Sequence, residues 1–446
     1  MNVPDRDALE GRDGRGAVQA GDKTKSRRRC ETFMNHGTAV PGPAGSSSVA
    51  QNPIAARRAL GLLLASRVLR GVAAGLLTIG FPYLILTELH ADLFVLGLLY
   101  AGGGASTAAL TFLFGRLGSR VALRMAYLVA MALLPVSTAL LLLPPSLPAA
   151  TLAAVLGGFS ATGSLAGGGV GGAATPLQTT LLSDFVVPTQ RTGWFSVFTF
   201  ASGLSAALGA LVGGVGTLSE VFGVALALGI GSVIAAVGIP VRKVARGRRP
   251  SSRSQGVVRR FAATGILNGV SQGLLTPFLI PFFVVYFGIA RPEMAVYATA
   301  SGILATFAVL AAPFLEARWG FVEAIVGTRA VAAGLAALLP FAPLVLALAI
   351  YIALPAFRVA ALPAQQSALV GRLPYEDRSE GVGINQAARV SAASGATALG
   401  GFAFEDVAAS VPFLSYAATL AANAFLYVRF FGWHGERIPV AADEAG

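Results

Sequence analysis

Residues 330–357 carry no charged side chain, and neither do residues 221–241. About twenty such residues in helical form cross the hydrocarbon core of a bilayer. A chain in lipid has no water to pair with its backbone, so each N–H and C=O must be satisfied inside the segment, which leaves the α-helix as the economical solution. The apolar runs recur. Twelve spans are expected at 59–87, 93–114, 122–143, 149–182, 192–215, 219–241, 260–288, 294–315, 322–341, 343–371, 380–403 and 408–431. The long fourth span has room for a break at its glycines. Composition agrees: 12% of residues are charged, against about a quarter in a soluble domain, and mean hydropathy is +0.70.

The net charge of +12 comes almost wholly from arginine. A nucleic-acid partner is not expected, because the basic residues sit between apolar spans, where membrane orientation accounts for them. One set of loops holds Arg57 and Arg58, Arg116, Arg120 and Arg124, Arg191, the run from Arg242 to Arg260, Arg318, Arg372 and Arg378, and Arg437. The alternate loops hold Glu88, Asp92, Glu220, Glu293, Glu405 and Asp406, with Arg291 as their cation. The positive-inside rule then places both termini in the cytoplasm of a multi-pass plasma-membrane protein. An even number of spans independently requires the two termini to lie on the same side. The single Cys30 and the three histidines, all outside the apolar runs, supply neither a disulfide nor a metal cluster. No cofactor and no enzymatic activity are expected, since no nucleophile–base pair is apparent.

The expected organisation is a disordered cytoplasmic tail (1–55), a six-helix bundle (56–241), a basic cytoplasmic linker (242–258), a second six-helix bundle (259–433) and a cytoplasmic tail (434–446). No signal-peptide segment opens the chain, so the first span is expected to act as its own anchor. The two bundles follow from a repeat. "GVAAGLLT" at 71–78 returns as "GVSQGLLT" at 269–276, a shift of 198 residues. Arg116 and Arg318 are related by 202, "SAALG" (205–209) and "SAASG" (391–395) by 186, and "TPLQ" (175–178) and "LPAQ" (362–365) by 187. Each pair falls at the same place in its half, as in duplicated transporters that rock about a central site.

"TFLFGRLGSR" (111–120) resembles the loop between the second and third helices of the major facilitator superfamily, G-x-L-a-D-R-x-G-R-K. Leu113, Arg116, Gly118 and the basic Arg120 match; Thr111, Gly115 and Ser119 depart. "SDFVVPTQR" (183–191) is similar to the loop after the fourth helix, and "GALVGG" (209–214) to a fifth-helix turn of many exporters, with Ala210 in place of proline. The resemblance spans about 56–433. It implies twelve transmembrane helices in two pseudo-symmetric bundles. It also implies a cytoplasmic gate of Arg116, Gly118, Arg120, Asp184 and Arg191 in the first half, with Arg318, Asp377 and Arg378 in the second. Gly115 stands where the family has an aspartate, which weakens the first-half lock. The run "GGGVGGAAT" (167–175) lacks the Lys-Ser/Thr ending of a phosphate loop and sits in an apolar span, so nucleotide binding is not expected.

Ionisable groups inside a membrane are costly and usually functional. Arg389 lies eleven residues past Arg378, about 15 Å along a helix. Arg358 falls midway through its span, and Arg70 is paired by the repeat with Asn268. Gln272 follows Asn268 one turn later. With Gln178, Gln365 and Asn385, these are the candidate substrate-binding residues. No Asp or Glu lies well inside a span, so a small solute carrying the negative charge would complete the site: an organic or phosphorylated anion. The same absence favours facilitated transport or exchange over proton coupling. The alternative is structural. Arg67 and Arg70 extend to the inner face, while Arg358 and Arg389 hold carbonyls exposed at Pro355 or near packing glycines. The expected function is alternating-access transport by a monomer in the lipid bilayer. Multidrug or metabolite efflux is one alternative, and a non-transporting membrane sensor or assembly protein another.

Overall fold

The computed structural model describes residues 53–117, 123–160, 169–170, 174–186, 191–239, 252–373 and 378–433. The chain runs α1 (Pro53–Tyr83), α2 (Leu93–Leu117), α3 (Leu123–Leu141), α4 (Leu147–Gly157), β1 (Phe159–Ser160), β2 (Gly169–Val170), α5 (Ala174–Phe185), α6 (Arg191–Val212) and α7 (Leu218–Val237). The second half runs α8 (Ser252–Leu275), α9 (Leu279–Phe287), α10 (Arg291–Leu310), α11 (Ala312–Trp319), α12 (Phe321–Leu338), α13 (Leu344–Ala360), α14 (Leu362–Gly371), α15 (Arg378–Phe402) and α16 (Ser410–Phe431). Among the described residues, ten helical segments are long and apolar enough to cross a membrane.

The other two expected spans differ for physical reasons. The fourth is broken: α4 ends at Gly158, which takes the left-handed conformation (φ 64°). Phe159 and Ser160 then pair antiparallel with Val170 and Gly169 before α5 begins. This backbone lies at the depth of the helices and is tolerated because Phe159 and Ser160 are buried in protein. The eleventh, α15, is too polar to read as lipid-facing. It packs on α8 and α2 along most of its length and so meets protein on two sides. The seventh expected span also divides. Pro277 has no N–H for the helical ladder, and α8 gives way to a 3₁₀ turn at Thr276–Phe278 before α9 resumes.

Helix packing explains the repeat. Lipid provides no hydrophobic drive between helices, so close association needs small residues that let backbones approach. A Cβ added at Gly75 would stand 2.0 Å from the carbonyl oxygen of Ala206 on α6. Its repeat partner Gly273 would meet the carbonyl of Ala393 on α15 at 2.1 Å. The same short sequence thus builds the same seam twice, α1 on α6 and α8 on α15.

Among the described residues, the two halves share an apolar cluster at one end. Ile79, Tyr83, Leu93 and Ala210 of the first half join Phe278, Phe282, Phe283, Met294, Phe404 and Phe413 of the second. Phe282 and Phe413 meet edge to face at 4.8 Å. Side-chain-to-backbone bonds reinforce this end: the Tyr83 hydroxyl donates to the Ile289 carbonyl (2.8 Å), the Leu93 N–H donates to Glu405 (3.1 Å), and Arg291 donates to the Gly216 carbonyl. Toward the opposite end, each half keeps its own core. Leu63, Tyr127, Leu181, Phe198 and Ile239 form one, and Val258, Phe261, Phe321, Leu369 and Tyr427 the other.

Two substitutions test the seams. Gly75→Val and Gly273→Val each force a side chain into a facing carbonyl, and overpacking of this kind costs about 1–3 kcal/mol or more. Each is expected to lower the apparent melting temperature of the purified protein by several degrees. Gly327→Val, at a position with nothing within 4 Å of an added Cβ, is expected to leave it unchanged.

Candidate functional site

The predicted polar residues separate into two groups, one in each half. In the first, Gln178 on α5 is fully buried. Its Oε1 accepts from Arg67 Nη1 at 2.9 Å, and its Nε2 donates to the hydroxyls of Tyr127 (3.3 Å) and Ser66 (3.4 Å). Ser66 and Tyr127 are themselves 3.3 Å apart. Arg67 also lies 5.1 Å from the centroid of the Phe198 ring. The arginine is therefore tied to its own half. Arg70, one turn further along α1, is 5% exposed, and its Nη1 meets no acceptor. Burial this deep disfavours the expectation that it extends to the membrane face.

In the second half the same helix positions leave a crevice. It is narrow, and it is lined by Thr264, Gly265 and Asn268 of α8, Gln365 of α14, Asn385, Gln386 and Arg389 of α15, and Tyr427 of α16. The difference from the first half is traceable to one position. The shift of 198 that relates the first spans carries Arg67 onto Gly265, and a Cβ at Gly265 would already meet Asn385 Oδ1 at 2.3 Å. Where the first half fills the space with a guanidinium, the second fills it with the shorter Asn385 amide, and the crevice runs beside it. Arg389 Nε and Asn385 Oδ1 are buried there without partners.

A second narrow cleft lies further along α8, at its break. Leu275, Thr276, Leu279, Leu354 and Pro355 line it together with Arg358 and Tyr416. The Tyr416 hydroxyl is buried without a partner. Arg358 and Arg389 are close enough to repel each other. Gln272, 4% exposed, lies on α8 between the two clefts and lines neither. Five of the eight predicted substrate-binding residues thus line these clefts: Asn268, Arg358, Gln365, Asn385 and Arg389. Arg70 and Gln178 belong to the first-half group.

One buried arginine escapes the sequence reading. Arg329 on α12 is 5% exposed and packs over the Tyr427 ring at 4.9 Å. A signal for it exists: the shift of 202 that relates Arg116 to Arg318 carries Tyr127 of the first-half network onto Arg329.

Most of the predicted gate lies beyond the described geometry. Gly118, Arg120 and Asp377 fall outside the described residues. Arg116 lies on α2, Asp184 on α5, and Arg191 and Arg378 begin α6 and α15. Arg318 is exposed on α11. A neighbour on that helix, Glu316, adds a carboxylate the motif reading passed over. Burial raises its pKa above the ordinary carboxylate value, and nearby Arg372 opposes the rise. Arg372 in turn packs over the rings of Phe321 (4.8 Å) and Phe431 (5.2 Å).

The sequence profile described as Major Facilitator Superfamily matches residues 63–263. No curated protein sequence matches the chain significantly. Among solved structures, a D-xylose–proton symporter aligns with a TM-score of 0.66 at 14% identity, over 84% of this chain and 97% of its own. The human organic anion transporter MFSD10 (TETRAN) aligns at 0.61 and 15%, over 83% and 99%. A bacterial homologue of the human lysosomal transporter Spinster, solved in an inward-facing and occupied conformation, aligns at 0.61 and 15%, over 83% and 96%. At these identities the likeness carries the fold, and the profile match carries the sequence signature. Together with the duplicated helical architecture, they show a multi-pass membrane protein with the transporter fold of the major facilitator superfamily, whose sequence signature residues 63–263 carry.

Proposed function

We propose that the protein moves a small organic or phosphorylated anion across the plasma membrane by alternating access between two bundles, 56–241 and 259–433. The observation that carries this reading is Arg389. It lines a crevice with amide side chains from three helices, and its Nε is buried with no acceptor. Every carboxylate on the described helices lies within about one turn of a helix end. The protein therefore offers the crevice cations and amides, and the solute brings the anion. A carboxylate or phosphate fits a guanidinium through paired charge-assisted hydrogen bonds, which is the geometry arginine supplies better than lysine.

Direction follows from charge. The end sealed by the shared aromatic cluster carries Glu88, Asp92, Glu220, Glu293 and Glu405. The end toward which the crevice lies carries Arg57, Arg58, Arg124, Arg259, Arg260, Arg318 and Arg372. The positive-inside rule makes the second end cytoplasmic. The conformation is then sealed outside, with its polar crevice on the inner side. In this reading Arg116, Arg120, Asp184, Arg191, Arg318, Asp377 and Arg378 belong to the inner gate that closes in the other half of the cycle. The carrier works as a monomer with both termini cytoplasmic.

Phosphate and succinate are expected to raise the melting temperature of the purified protein, and choline is not. Stabilisation by the cation and by neither anion would contradict the reading. Arg389→Gln and Arg358→Gln are each expected to weaken anion binding at least tenfold, about 1.4 kcal/mol. Unchanged uptake by proteoliposomes carrying either variant would assign that arginine a structural role instead.

A further inference from the structure

Arg329 has no place in the site as described so far, yet it stands directly behind it. Its helix, α12, packs on α13 and α16. The guanidinium lies over the ring of Tyr427, and its Nη1 is buried with no acceptor. The Tyr427 hydroxyl reaches Thr264 Oγ1 at 3.3 Å, and both residues line the crevice. Tyr416, on the same face of α16 three turns earlier, lines the deeper cleft and lies within electrostatic reach of both Arg329 and Arg358. One cation thus backs two phenols, and each phenol faces one of the two clefts.

Comparison of the halves gives this placement its meaning. The repeat carries Ser66 onto Thr264, Tyr127 onto Arg329 and Gln178 onto Gln365. In the first half the charge sits in front, on Arg67, and is bonded to Gln178. In the second half Gly265 replaces that front arginine and the Asn385 amide lies against it beside the crevice, while the charge sits one layer back, where the first half has a tyrosine. A buried arginine with an unmet N–H is costly. It is most easily understood where its field acts on something that enters from the other side of the ring.

We propose that Arg329 is a positioning and specificity-determining residue of the second-half site. Without touching the solute, it holds Tyr427 against Thr264 and maintains a fixed positive charge behind the crevice that favours anions over neutral solutes. The inference rests on the anion reading above. It adds that selectivity comes from two layers, Arg389 in contact and Arg329 behind.

The test is the binding of inorganic phosphate and of succinate to the purified full chain, read from ligand-dependent melting. The chains compared are wild type, Arg329→Gln, Arg329→Lys and Arg389→Gln. Arg329→Gln is expected to weaken both anions about tenfold, and Arg329→Lys, which keeps the charge, to restore affinity to within about threefold of wild type. Binding by Arg329→Gln as tight as wild type, beside a clear loss in Arg389→Gln, would overturn the role of Arg329 and leave the anion reading standing. Equal losses in the Lys and Gln variants would also overturn it, because packing rather than charge would then govern. Failure of wild type to bind either anion would overturn both readings. If Arg329→Gln does not fold, Arg329→Lys decides: near-wild-type affinity supports the proposal, and a tenfold loss refutes it.

Discussion

The contact on which the structure depends is the close approach of two helix backbones at a glycine. In water, apolar helices associate because water expels them. In lipid that drive is gone, and packing must supply the association. Gly75 against the Ala206 carbonyl and Gly273 against the Ala393 carbonyl leave no room for even a methyl group. These seams join α1 to α6 and α8 to α15. Each brings a helix bearing polar groups against a partner within its own half. Without the second seam, α15 would meet lipid with Asn385, Gln386 and Arg389 on its surface, at a cost of several kcal/mol for the arginine alone.

From the seams follows the asymmetry of the site. Duplication gives both halves a serine or threonine, a buried aromatic or cationic position and a glutamine at matching places. The first half bonds Arg67, Gln178, Tyr127 and Ser66 to one another and leaves Arg70 Nη1 unmet outside that network. The second half substitutes Gly265 for the arginine and leaves orphaned atoms on Asn385 and Arg389. A satisfied network is rigid and needs no ligand; an unsatisfied one faces a cost that a ligand of the right charge removes. The same repeated layout therefore yields a bonded polar network in one half and, in the function proposed above, a binding crevice in the other.

Much of this was legible in the sequence because lipid imposes simple rules. Span length, alternation of arginine-bearing loops and the "GVAAGLLT" echo point to the fold before any coordinates. The broken fourth span was legible in its glycines, and Arg389, Arg358, Asn385 and Gln365 as polar residues in apolar runs. Other features were not. Arg329 sits in an unremarkable helix and gains significance only from the rings of Tyr427 and Tyr416, which lie about a hundred residues away. Arg67 reads in sequence as a side chain near a helix end; only the fold brings Gln178 to it. The break of the seventh span at Pro277, and the cleft beside it, were not read from the sequence. Which end is sealed is a property of the conformation, which the span pattern and the loop charges do not specify.

The central claim is that the crevice and the aromatic seal exchange roles when an anion passes. Electron–electron resonance distances in a Cys30→Ser background measure this directly. One pair of spin labels would sit at Leu113 and Val382 toward the crevice end, and another at Val215 and Val407 at the sealed end, all exposed positions. On addition of a transported anion, the account predicts that the first distance shortens as the second lengthens. Distances that move together, or that ignore every anion while uptake proceeds, would contradict it.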